Sequence, residues 1–341
     1  MVDKHYTIKD IAREAGVSPA LVSFALNNRG ANGEMRYKVN KDTARRILEI
    51  ARAHNYKPNN AARSLRSRKS HTIGIILSDI SNDFFSGIAR RIENEAFRTN
   101  YSVLFGSTDE NPQKLEILIN TFLDNGVDGL VIVPCANSEG IITRLAGRDI
   151  PIVLLDRDVE GLDVNKVLLD NEIAAGLAVQ GLYNSGRKRI AMVSYKMNLA
   201  NIRSRESGYV RGVSSEGNTP IVYEADYANL EASMDEIVRA IEEDKIDAVF
   251  FATNSLAIAG VKAFDKHGIK VPDKVAVVAF DGGEAFDLYP VSIACIKQPI
   301  EEFAHHALRL VIDQINDPTQ EKKSILLSPE LIDGESLGRK H

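Results

Sequence analysis

Between Thr72 and Gly282 the chain alternates apolar runs with segments of helical periodicity. The runs read TIGIILSD, YSVLFGSTD, VDGLVIVP and IPIVLLDRD, then RIAMVSY, TPIVYEAD, DAVFFATN and KVAVVAFDG. Near-continuous Val, Ile and Leu suits strands covered on both faces, which is the situation of a parallel sheet under helices. Strand–helix alternation then requires crossover connections, so this part reads as α/β with doubly wound parallel sheets. Several runs end on a polar residue: Asp79, Asp156, Asn254 and Asp281. Open α/β sheets bind ligands outside the carboxyl ends of their strands, so a crevice is expected there, although Asp at a strand end is equally a turn and capping residue.

Composition excludes several function classes. The 341 residues are 44% apolar and 26% charged, as in an ordinary globular protein. The opening MVDKHYTIKD lacks the apolar core of a signal peptide, and no run reaches the roughly 18 apolar residues of a membrane helix, so a cytoplasmic protein with no membrane partner is expected. Cys135 and Cys295 lie inside apolar runs and read as reduced core thiols. The seven His do not fall at metal-ligand spacing, and neither HExxH, GxSxG nor GxxxxGK[ST] occurs, so no metal, cofactor or enzymatic activity is expected.

Charge is divided along the chain. Residues 1–70 carry 15 Lys+Arg against 6 Asp+Glu, and the remainder 27 against 41. A basic head on an acidic body suggests a polyanionic partner for the head alone. Within that head, Thr7 precedes Ile8, Ile11, Ala12 and Ala15, and Asp10 stands where a capping box requires an acidic partner. Gly16 can end this helix in the left-handed conformation, Ser18 can cap a second, and Pro19 suits the first position of that second helix. Two helices joined by a short turn containing Gly form a helix-turn-helix. With Val22, Ala25 and Leu26 facing the core, Ala20, Ser23, Phe24 and Asn27 fall on the outer face. A third helix is expected from about Asn40 to His54, buried through Ile47, Ile50 and Ala51. The expected domains are thus an all-α head over 1–57, a linker over 58–70 and an α/β body over 71–341.

The segments TIKDIAREAGVSPALVSFALN and YKPNNAARSLRSRKSHTIGIILSDISNDFF closely resemble the lac repressor family of bacterial transcription regulators, and the resemblance continues to the C-terminus. It implies a homodimer bound to a double-stranded DNA operator, with Pro19, Ala20 and Phe24 at base edges. Apolar side chains can read the thymine methyl there. Phosphate contacts are expected from Thr7, Ser18, Ser23 and Asn27. The family's usual Thr is Leu21 here, and an inserted RGANGEMRYK brings Arg29, Arg36 and Lys38, either as a surface loop or as an additional phosphate clamp. In the 58–70 linker the resemblance implies a hinge helix that folds on DNA, meeting it through Asn60, Arg63 and Leu65, the last wedged into a minor-groove step.

The body resembles sugar-binding periplasmic proteins, which implies two similar doubly wound subdomains flanking a cleft, with chain crossings near 160–166, 289–293 and 321–325. Through RSRESGYVRG the resemblance makes Arg205 the ligand-binding arginine. Asn254 and Asp281 match its other polar contacts, and Asn82, Phe84 and Phe85 match the opposite wall; Asp79 and Asp156 join them as strand-end residues. An Arg beside carboxylates and amides suits vicinal hydroxyls, though Arg binds carboxylate or phosphate equally well. Ser255, Ala304 and Gly334 replace the family's usual Asp, Gly and Arg, and the chain has no Trp to stack on a sugar ring. The reading is a transcription regulator, a repressor of catabolic genes controlled by a small sugar-like effector. The alternative is a regulator of the same fold controlled mainly by a protein co-regulator, as one branch of the family is by a phosphorylated phosphocarrier protein. With no sustained C-terminal heptad tail, a dimer is expected rather than a tetramer.

Overall fold

The computed structural model describes residues 6–26, 39–56 and 69–338. The N-terminal unit is helical: α1 spans Ile8–Ala15, α2 Pro19–Leu26 and α3 Lys41–Ala53. Local chemistry sets each boundary. Thr7 Oγ1 accepts from the Asp10 amide at 3.3 Å while the Thr7 amide donates to Asp10 Oδ2 at 3.0 Å, completing the capping box. Gly16 ends α1 at φ 63°, a conformation a side chain would resist. Ser18 Oγ accepts from the Leu21 amide at 3.2 Å, and Asn40 Oδ1 from that of Asp42 at 2.9 Å, so α2 and α3 each begin on a cap. The three helices close around Ile11, Ala15, Val22, Ile47 and Ala51, with Ile50 and Leu26 at the margin. Arg46 donates to the Ala15 carbonyl at 2.6 Å, satisfying the end of α1 from α3.

In the body, β1 (Thr72–Leu77), α4 (Asp83–Arg98), β2 (Ser102–Ser107), α5 (Pro112–Asp124), β3 (Gly129–Ile132), α6 (Glu139–Ala146), β4 (Ile152–Leu155) and β5 (Asn165–Leu169) build the first half. The second half holds α7 (Asn171–Asn184), β6 (Ile190–Tyr195), α8 (Ala200–Ser215), β7 (Val222–Ala225), α9 (Leu230–Glu243), β8 (Ala248–Phe251), α10 (Asn254–Lys266), β9 (Ala276–Phe280), a short α11 (Glu284–Asp287) and β10 (Ala294–Lys297). Then α12 (Ile300–Asn316) and β11 (Ser324–Leu327) return to the first half, and β12 (Glu330–Ile332) to the second. The sheet orders are β11-β5-β4-β3-β1-β2 and β12-β10-β9-β8-β6-β7. The two orders correspond position for position, so the halves repeat one strand order and differ in the direction of the outermost strand. Pairing is parallel from β11 through β1 and from β10 through β7, with β12 antiparallel to β10. β3, β4, β6, β8 and β9 are buried at every residue, as strands covered by helices on both faces must be.

The three chain crossings lie later than expected. The chain leaves the first sheet at Asp170 rather than at 160–166, because NKVLL adds β5 before α7 packs on the second sheet. It returns at Gln298–Pro299 rather than at 289–293, after β10. It crosses again at Ser328–Pro329 rather than at 321–325, since SILL pairs with β5 in one sheet and ELI with β10 in the other. Gly334 follows from this geometry. A Cβ there would lie 2.5 Å from the Ala294 amide nitrogen and 2.7 Å from the Ser292 carbonyl oxygen, leaving no room for the Arg the family usually has. Cys135 and Cys295 are buried free thiols, and burial pushes that of Cys295 up to about 11. Among the described residues no helix is long and apolar enough to cross a membrane.

Candidate functional site

On the head, Ser18, Pro19 and Ala20 are exposed at the start of α2, and Phe24 follows one turn later at 39% exposure. Thr7 is exposed beside them at the start of α1, and Ser23 is half-buried. The described part of the expected reading face is therefore apolar and outward-facing. Asn27, Arg29, Arg36 and Lys38 with the insertion, and Asn60, Arg63 and Leu65 of the hinge, lie outside the described residues.

In the body, Asp79, Asn82, Phe84, Phe85, Asp156, Arg205, Asn254 and Asp281 all line one cavity between the two halves, with roughly 630 Å³ of space including its mouth. Its centre is Arg205 on α8, 3% exposed. The guanidinium is locked from three sides: Nε donates to Asn171 Oδ1 at 2.8 Å, Nη1 to the Ala252 carbonyl at 2.7 Å, and Cζ stands 3.3 Å over the Phe280 ring. Burial lowers its pKa to about 10, against the pull of Asp156 and Asp281, so it stays charged at neutral pH.

The two carboxylates occupy equivalent places in the repeated topology. Asp156 follows β4 and Asp281 follows β9, each at φ 64°, and their amides donate to the neighbouring strands at Val167 and Ile296, both at 2.9 Å. Asp156 Oδ2 accepts from Asn201 of the opposite half at 3.1 Å, while its Oδ1 is buried without a protein partner. Burial pushes Asp156 above the usual carboxylate range against the pull of Arg157 and Arg205. Asp281 is pushed up to about 7, first by burial and then by Asp156, with Arg205 and Gln298 pulling the other way; Gln298 Nε2 donates to its Oδ1 at 2.9 Å.

Other wall residues were not singled out from sequence. Glu110 forms a two-pronged ion pair with Arg157 at 2.9 and 2.7 Å, and Arg157 also donates to the Pro134 carbonyl at 2.9 Å. Tyr195 and Tyr227 meet edge to face at 5.4 Å, and burial pushes the Tyr195 hydroxyl up to about 12. Asn82 and Asp79 each turn back on the backbone, accepting from the Phe84 and Ser81 amides at 3.0 and 2.8 Å. Asn254 instead donates to the Gly282 carbonyl at 2.9 Å, fixing the loop beside Asp281. Among the described residues no group of His, Cys, Asp and Glu is arranged to hold a metal.

Residues 7–59 match the family model for bacterial regulatory proteins of the lacI family, and residues 179–337 that for a periplasmic binding protein-like domain. Catabolite control protein A of Priestia megaterium is 30% identical over 94% of this chain and 96% of its own length. The chain belongs to the lacI family. The ribose operon repressor of Halalkalibacterium halodurans is 31% identical over 91% of this chain and 90% of its own. In fold, the lac repressor dimer bound to operator and an anti-inducer matches with a TM-score of 0.84 at 21% identity, over 98% of this chain and 99% of that one. As a lacI-family member the chain is a DNA-binding transcriptional repressor, and its relatives are regulators rather than enzymes. The helical head and the two parallel-sheet halves are those of the family; Arg205 and Asp281 lie within the part matched as periplasmic binding protein-like, and Asp156 lines the same cavity from the first half.

Proposed function

We propose that this lacI-family repressor acts as a homodimer on genes of carbon-source use and is controlled by a neutral, polyhydroxylated effector held around Arg205. The supporting observation is the donor and acceptor balance of the cleft. Arg205 and Arg157 face Asp79, Glu110, Asp156 and Asp281, so the wall carries more carboxylate than guanidinium. Glu110 already cancels Arg157, and Asp79, Asp156 and Asp281 stand around Arg205, so no unmatched guanidinium awaits an anionic ligand, while hydroxyls can donate to a carboxyl oxygen and accept from a guanidinium or amide. Asp156 Oδ1 and Gln298 Oε1 are both buried acceptors without a protein donor, and a ligand hydroxyl satisfies either. Phe84, Phe85 and Tyr195 supply apolar faces for the C–H surfaces of a ring, in a chain with no Trp. Among the relatives, the name ribose operon repressor agrees with a sugar-linked role and catabolite control protein A with control of catabolic genes.

The test is a thermal-shift series on the full chain with neutral sugars, sugar phosphates and sugar acids, followed by operator binding with and without each hit. Stabilisation by a neutral sugar that also alters operator affinity supports the proposal. Stabilisation by phosphorylated or acidic ligands alone contradicts it.

A further inference from the structure

Asp156 and Asp281 come from opposite halves of the body and share the guanidinium of Arg205. Elsewhere on the cavity wall, Glu110 and Arg157 cancel each other in their two-pronged pair, and Asp79 is turned to the amide and hydroxyl of Ser81 at 2.8 and 2.7 Å. The centre is therefore Asp156 of the first half against Arg205 and Asp281 of the second. With both carboxyls ionised this trio carries an excess negative charge; with one proton it is neutral. We infer that the cleft closes on a proton: the pair Asp156–Asp281 takes up one as the halves draw together over Arg205 and releases it as they part, so that rising pH opens the cleft.

The first support is burial. Asp156 and Arg205 are each 3% exposed, and Asp156 Oδ2 accepts from Asn201 of the opposite half at 3.1 Å, so closure itself removes the carboxyl from water. An excess charge is costly there and is hydrated once the halves separate. The second is the company around Asp281. It is faced by Arg205 on α8, Asp156 after β4, the Cys295 thiol on β10, and Asp83 at the start of α4, whose Oδ2 lies 2.9 Å from the place of a Cβ on Gly283. Burial pushes Cys295 up to about 11 and Tyr195 up to about 12, so both stay neutral, and among the described residues no His lines the cavity. The proton thus belongs to the carboxyl pair, both members of which burial pushes up, Asp281 to about 7. The third is the link to the chain crossings. Asn171, just past the crossing at Asp170, donates to the Leu169 carbonyl at 3.2 Å and accepts from Arg205 Nε at 2.8 Å. Gln298, on the second crossing, donates to Asp281 Oδ1 at 2.9 Å. Bending at these crossings therefore moves both charged groups of the second half.

The chain has no Trp, so Tyr227→Trp places a single reporter on the cleft wall. Acrylamide quenching of this Trp in the full chain is expected to increase with pH and level off near pH 7. For one proton held at about 7 when closed and at about 4 when open, the open-to-closed ratio rises up to about tenfold between pH 6 and 8. The radius of gyration of the chain without the reporter, from small-angle scattering, should follow the same curve. Asp281→Asn and Asp156→Asn each leave one carboxylate for one guanidinium and should flatten both profiles. Gln298→Met removes a donor to ionised Asp281 and should move the levelling point to higher pH, a displacement that a purely structural role does not produce. Profiles that are flat in the parent chain would overturn the inference. So would a response that both asparagine variants retain, or a levelling point that Gln298→Met leaves in place.

Discussion

Gly208 sits where α8 crosses α7, and replacing it with Ala tests how tightly that crossing fixes the cleft. A Cβ at this position would lie 2.2 Å from the Glu172 carbonyl oxygen and 2.9 Å from that residue's carbonyl carbon and Cα. These are backbone atoms, so no side chain can swing aside, and ordinary contact is restored only if α8 retreats by about 1 Å. Overpacking of this kind costs about 1–3 kcal/mol, and with the contact at 2.2 Å from backbone the upper part of that range applies; Ala regains about 0.5–1 kcal/mol over Gly inside a helix, leaving a net loss of up to about 2.5 kcal/mol. Gly176 provides the control, since it lies in the middle of α7 with nothing within 4 Å of its would-be Cβ. Gly176→Ala should stabilise by about 0.5–1 kcal/mol, so the two substitutions are expected to have opposite signs. Urea unfolding measures both, with the midpoint moving and the slope constant. The crossing also reaches the ligand: Glu172 follows Asn171, which holds Arg205 Nε at 2.8 Å. A displacement of about 1 Å breaks that charge-assisted bond, so effector affinity in Gly208→Ala should fall on the order of tenfold. Equal stabilisation by both substitutions, or a destabilised Gly208→Ala with full effector affinity, would refute the coupling of crossing to cleft.

Arg205→Ala should abolish the effector response while leaving operator affinity without ligand nearly unchanged; fluorescence anisotropy reads both, and an intact response removes Arg205 from the site. Asp281 has a folded pKa of about 7, above its unfolded value, so the folded state holds its proton longer and stability should decline as pH rises from about 4 to 7, by up to about 1.4 kcal/mol per unit. That slope should be absent from Asp281→Asn and so appear in full in the difference between it and wild type, and parallel pH profiles would show that Asp281 titrates normally. For the head, if Phe24 reads a thymine methyl in an operator obtained by in vitro selection, uracil at that base should cost wild type on the order of 1 kcal/mol, and Phe24→Ala should be insensitive to the change. Zero coupling at every thymine would place specificity in DNA shape or the hinge.

The features that could be read from the sequence are those settled within a few residues. Thr7 and Asp10 are three apart and cap the same turn, Gly16 needs no Cβ at φ 63°, and apolar runs such as IVLL and AVVAF declare strands buried on both faces. Asp79, Asp156, Asn254 and Asp281 were legible because strand ends in such sheets must point at a crevice, and Arg205 because its segment carries a family pattern. Which sheet a short run joins was not legible. NKVLL, SILL and ELI have the same local character whichever half they enter, and only packing of α7 and α12 against opposite sheets decided where the chain crosses. The pair Glu110–Arg157 joins residues 47 apart, the bond from Asn201 to Asp156 spans 45, and Gly208 meets Glu172 across a helix crossing. No periodicity encodes such contacts. Caps, turns and amphipathic faces draw on interactions that form locally at small entropic cost, whereas these pairings exist only once the folded core has brought distant segments together.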